Sequence, residues 1–330
     1  MERSPRFRAM TFSTLGGALL VAPLLTAPHA QAAPAAPSSS PSPGVRQQAT
    51  DAAAKKRVLG YWTRERMRAA TPMERLFTPK RTSGEKEAVR RGLEQVLPPT
   101  VVQSIPNPGG EWTGGGAVTR TAGRVFFTYQ GRSASCSGDA VSSANKSTVI
   151  TAGHCVKLDG AWHTNWVFVP GYKDGDRPHG TWTAARTLAT PQWTASEDLS
   201  YDVGAAVVNA LDGRRLVDAV GGQGIAFNQP RGQNMYSFGY PAAAPYDGSK
   251  LIYCSGRVIN DPLLSSGIGL GCDMTGGSSG GPWFLRFDEA AGTGVQNSVN
   301  SFKYNFLPTH MFGPYFGADA QNVYNEAQSS

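Results

Sequence analysis

The chain has 330 residues with a net charge of +7, and 40% of its residues are hydrophobic. That length and apolar content support one large domain or two modest ones with a real core, which excludes a wholly disordered chain. The basic excess sits at the front: residues 33–115 hold thirteen Lys and Arg against seven acids, whereas residues 116–330 hold fifteen against sixteen, so charge gives little ground for nucleic-acid binding.

Residues 1–32 read as a secretory signal. Arg3, Arg6 and Arg8 precede the apolar run 15-LGGALLVAPLL-25, and Ala30-Gln31-Ala32 offers small residues for cleavage after Ala32. Pro23 and Pro28 break a run that is already too short to span a bilayer, so a secreted, unanchored product is expected. The Pro, Ala and Ser content of 33-APAAPSSSPSPGVRQQ-48 predicts disorder. Short helices are predicted at 63–70, stopped by Thr71-Pro72, and at 84–97, capped by Ser83 and stopped by Pro98-Pro99. The stretch 105–117 has the composition of turn and linker, which makes residues 33–115 a separate basic region, attached through a hinge, with the character of a propeptide.

From residue 116 the pattern changes to short β-branched and aromatic runs between turn residues. Val125–Tyr129, Ser147–Thr151, Trp166–Val169, Ala205–Val208, Tyr236–Tyr240 and Ser298–Phe302 are the clearest strands, and an all-β barrel or sandwich is expected. Only 317–328 reads as a final helix. Four cysteines in an exported chain suggest two disulfides with three possible connectivities, of which the local pairs Cys136 with Cys155 and Cys254 with Cys272 are the simplest. The loop 173-KDGDRPHG-180 is ordinary turn chemistry, so no metal and no cofactor is expected.

Three places could carry chemistry. His154 lies where 148-TVITAGHCV-156 runs from a strand through small residues to a cysteine, whereas His163, His179 and His310 sit in polar or turn-like contexts that suggest the surface. Asp202 directly precedes the apolar strand Gly-Ala-Ala-Val-Val, where a carboxylate needs a partner such as an imidazole; Asp198 is a competitor further from the strand. The Gly-rich stretch 271-GCDMTGGSSGGPW-283 is anchored by Cys272 and a Pro-Trp run, so it is shaped rather than floppy. Its glycines allow backbone N–H groups to converge on an oxyanion beside a serine hydroxyl.

With TAGHC, the strand-leading YDVG and G-x-S-G-G-P in the order His, Asp, Ser, residues 116–330 resemble the chymotrypsin-like serine peptidases, nearest the small secreted bacterial members related to glutamyl endopeptidases. The resemblance implies two six-stranded antiparallel β-barrels with the site between them. It also implies Ser279 as nucleophile, His154 as base, Asp202 as its orienting acid, an oxyanion hole from the N–H groups of Gly277 and Ser279, and the pair Cys136–Cys155. Asp273 falls where trypsin-like members carry the acid that selects Lys or Arg, but glutamyl-type members can carry an acid there too, so it does not by itself decide specificity. Ser301, Phe302 and Lys303 fall where the substrate backbone adds as a strand. Ser278 replaces the aspartate that pairs with the new N-terminus in trypsin-like zymogens, so a removable front segment must instead block the cleft or assist folding. The expected protein is a secreted monomeric endopeptidase acting on proteins or peptides. An inactive binding protein on the same fold, or an esterase on the same residues, are the alternatives.

Overall fold

In the first half, strand runs rich in Val, Phe and Ala pair edge to edge until the sheet meets itself. The computed structural model describes residues 41–76 and 106–330; the expected signal and the expected helix at 84–97 lie outside them. Ala122–Tyr129, Arg132–Ala140, Thr148–Thr151, Gly204–Val208, Trp182–Ala189 and Thr164–Pro170 follow one another, and the last pairs back with the first, closing a six-stranded antiparallel barrel. Five of the six expected strands are present in outline, with ends shifted by a few residues; Ser298–Phe302 is the exception.

The second half is two joined sheets rather than a single closed barrel. One has six strands, including Asn234–Gly239, Ile252–Arg257, Pro282–Asp288 and Thr293–Val299, and the other has four, including Ile268–Gly271, Phe302–Tyr304 and Leu307–Gly313. The chain turns from one sheet to the other at Val258 and again at Asn300 and Ser301, so the expected strand Ser298–Phe302 is in fact a corner between two strands. The closing helix Ala318–Gln328 buries Ala320, Val323 and Ala327 in the core cluster of the first barrel.

The front region differs most from its sequence reading. Gly44–Gln47, expected to be disordered, is a strand antiparallel to Trp182–Ala189. A helix at Ala52–Tyr61, not foreseen, starts at Asp51, whose side chain accepts from the N–H of Ala54. The helix Arg64–Arg68, starting at Thr63, matches the expected one. Trp62, Met67 and Met73 are fully buried, and the Trp62 indole donates to the carbonyl of Asn165 at 2.6 Å. Thr71–Pro72 then pairs in parallel with Ala134 and Ser135. Residues 41–76 are therefore folded into the same compact unit as the barrels, and are not a separate body. The supposed linker contains the strand Asn107–Glu111, which forms an edge of the second sheet against Ile252–Arg257.

Candidate active site

The strand Thr148–Thr151 ends in a short turn, Gly153–Cys155, that carries His154, and the disulfide Cys136–Cys155 ties this turn to the neighbouring strand. Asp202 follows the turn Leu199–Tyr201 and precedes the strand Gly204–Val208, which pairs with Thr148–Thr151. This pairing brings the two fully buried side chains together. His154 Nδ1 lies 2.7 Å from Asp202 Oδ2, and the His154 backbone N–H donates to Oδ1 at 2.8 Å. A side chain at Gly153 would meet both the Trp193 ring and the Asp202 carboxylate, so that glycine is required by close approach. Burial lowers the pKa of His154, but the charge and hydrogen bond of Asp202 and the charge of Glu74 outweigh it, and the net shift is upward.

Two supporting residues escaped the sequence reading. His163 is buried, not on the surface: its ring stacks on Phe127 with centroids 4.3 Å apart, and burial lowers its pKa to about 3. A neutral His163 donates from Nε2 to the carbonyl of His154 at 2.9 Å and so fixes the turn. Asn300, buried at the sheet corner, uses its whole amide. It accepts from Ser237 and Trp283 and donates to the carbonyls of Phe238 and Ser278, which clamps the Gly-rich loop. Neither residue has a local sequence signal, because each depends on partners distant in the chain.

Ser279 is buried. Its carbonyl accepts from the N–H of Ser137 at 2.7 Å and lies 3.7 Å from Cys155 Sγ, and its hydroxyl donates to the carbonyl of Ser301 at 3.4 Å. Gly277 has φ of +100°, and a side chain there would run into Tyr240 and Ala242. Its carbonyl accepts from Ser137 Oγ, which turns the N–H groups of Gly277 and Ser279 to one side. Both N–H groups are occupied: Gly277 donates to one oxygen of the Glu74 carboxylate at 2.6 Å and Ser279 to the other at 3.1 Å. Ser278 is buried and donates to the carbonyl of Thr275. The hydroxyl of Ser301 donates to Asp202 Oδ2 at 2.5 Å, a link from its side chain that sequence reasoning did not foresee.

No protein-family model matches the chain. An extracellular metalloprotease of Bacillus subtilis (strain 168) is 36% identical over 73 residues, which span 22% of this chain and 23% of that relative. Two solved structures match far more broadly. The protease Anisep from Arthrobacter nicotinovorans is 46% identical with a TM-score of 0.61, covering 64% of this chain and 96% of that one. The thermostable serine protease AL20 from an extremophilic microorganism is also 46% identical, with a TM-score of 0.62, over 65% of this chain and 99% of that one. This chain belongs to the chymotrypsin-like serine proteases. A Glu endopeptidase, at 17% identity and a TM-score of 0.53, shares the fold.

In this serine protease a pocket of about 200 Å³ opens beside the Gly-rich loop, lined by Met274, Thr275, Gly276, Phe302, Lys303 and Met311, with Glu74 at its side. Asp273 is not among the lining residues. Its carboxylate accepts from the Tyr246 hydroxyl and packs where a side chain on Gly109 would stand. Lys303 does face the pocket, and its ammonium donates to the carbonyls of Cys272 and Pro308, both at 2.7 Å. The disulfide Cys254–Cys272 holds the entry to the loop, as expected. Cys136, His154 and Cys155 lie close together, but both sulfurs are consumed by the disulfide and are unavailable as metal ligands. Among the described residues no helix is long and apolar enough to cross a membrane.

Proposed function

We propose that this protein is an exported serine endopeptidase that hydrolyses peptide bonds through an acyl-enzyme. Ser279 Oγ attacks the scissile carbonyl carbon while His154 accepts its proton. The developing oxyanion takes the N–H groups of Gly277 and Ser279, and Asp202 orients the imidazole and stabilises its cationic form. Collapse breaks the C–N bond, with His154 returning the proton to the leaving amine. Water then attacks the acyl carbon, giving a proton to His154, and collapse breaks the ester bond as His154 passes that proton to Ser279 Oγ, releasing the acid.

The observation that carries this reading is the carboxylate of Glu74, bound at once by the N–H groups of Gly277 and Ser279, since two converging donors that already hold an anion can receive an oxyanion. The buried His154–Asp202 pair supports the proton-transfer role. The basic, Arg-led start and the two disulfides support export, with residues 1–32 as signal and residues 33 to about 115 as a removable prosegment. Mass spectrometry of the mature N-terminus tests that division, and an active enzyme starting near Ala33 contradicts it.

The decisive experiment is turnover of a fluorogenic peptide. Ser279→Ala should lower kcat about a million-fold, whereas Ser278→Ala should keep most activity. Peptide cleavage that survives Ser279→Ala removes the assignment.

A further inference from the structure

The surface between the two halves is already occupied by a part of the same chain. Thr71–Pro72 adds in parallel to the strand Arg132–Ala140, Met73 is fully buried, and Pro72 and Glu74 both lie against Gly276. These anchors fix the turn Met73–Arg75 and aim the Glu74 side chain at the N–H groups of Gly277 and Ser279. Each carboxylate oxygen takes one of the two donors, the contact that an oxyanion would need.

We propose that the cleft is a docking surface for residues 41–76 and that Glu74 is the inhibitory anion of that segment, filling the oxyanion site so that the chain is latent while the segment stays bound. The inference rests on the serine-endopeptidase reading and adds the regulation of that site. Several observations favour Glu74 over simple steric cover. A side-chain carboxylate offers no leaving group, and its charge disfavours attack by an alkoxide, so it occupies the site without being consumed. The same charge stabilises the His154 imidazolium, a form that cannot take the Ser279 proton. The segment also carries its own anchors in Trp62, Met67 and Met73, so the carboxylate is presented by a folded support.

The test uses the full chain, reacted with a fluorophosphonate probe that labels an activated serine. The products are separated by size, so that molecules retaining residues 41–76 are read apart from shortened ones. In the uncut species, Glu74→Gln and Glu74→Ala should label about tenfold faster than wild type or more, because charge-assisted contacts to the two donors are lost. Arg75→Ala, an exposed neighbour, should label like wild type. Equal labelling of the uncut wild type and the isosteric Glu74→Gln chain overturns the proposal, as does equal acceleration by Arg75→Ala. If shortened wild-type protein neither labels nor cleaves peptide, the endopeptidase reading itself fails; if it does both while the Glu74 variants change nothing, only the role of Glu74 fails.

Discussion

At His154, burial and charge oppose one another. Desolvation favours the neutral ring, but Asp202 on one side and Glu74 on the other hold the cation, and the pKa rises. A raised value means that the neutral, proton-accepting form appears only as pH climbs through it. Taking away the Glu74 charge must therefore move the titration to lower pH. In the uncut chain, NMR of the His154 ring protons should give a lower midpoint for Glu74→Gln than for wild type; an unchanged or higher midpoint contradicts the electrostatic account. A second residue-scale expectation concerns Lys303. Burial brings its ammonium down to about 8 against the opposing pull of Asp273, so it remains largely charged at neutral pH. With that cation lining the pocket and Asp273 turned to Tyr246, peptides with Lys or Arg before the scissile bond should be cleaved more slowly than those with acidic or neutral residues, and Lys303→Met should narrow the gap. A peptide library read before and after the substitution measures this, and a wild-type preference for Arg contradicts it.

Among the elements, legibility followed locality. Val125–Tyr129 and Ala205–Val208 were readable because β-branched and aromatic residues make a strand out of whatever they pack against. Asn107–Glu111 was not, since Asn-Pro-Gly-Gly-Glu has no strand composition and pairs only because the edge Ile252–Arg257 is available. Pro108 is tolerated there, and its carbonyl accepts from Asp273. The helix Ala52–Tyr61 was hidden in the same way by a Pro-rich lead, although Asp51 marks its start. His154, Asp202 and Ser279 were legible as motifs, whereas His163, Asn300 and the Ser301 hydroxyl act through contacts that no spacing announces. The Cys136–Cys155 bridge, 19 residues apart in sequence, gives an element-scale prediction. Replacing both cysteines by Ala should lower unfolding free energy by about 3 kcal/mol, measured by urea titration in the Ser279→Ala background to avoid self-digestion. A loss well under 1 kcal/mol would show that the surrounding strands already hold the His154 turn.

For the molecule as a whole, the basic front region and the near-neutral remainder are not two independent bodies within the described residues. Trp62, Met67 and Ala70 share a core cluster with Phe126, Tyr240 and Phe284, so residues from the front segment and from both halves lie in one apolar interior. If residues 41–76 leave, that interior loses several of its largest members at the moment the cleft opens. The strand Gly44–Gln47 has a further part in this. It is hydrogen-bonded along Arg186–Ala189, on the side of that strand turned away from Gly204–Val208. Its departure leaves a row of unpaired backbone donors and acceptors on the barrel rim, the kind of edge that recruits foreign strands. Arg186 is the single charge along it. If the proposed prosegment is released, a sticky seam is exposed as well as a cleft, and the freed molecule is then at its greatest risk of self-association until something else covers that rim.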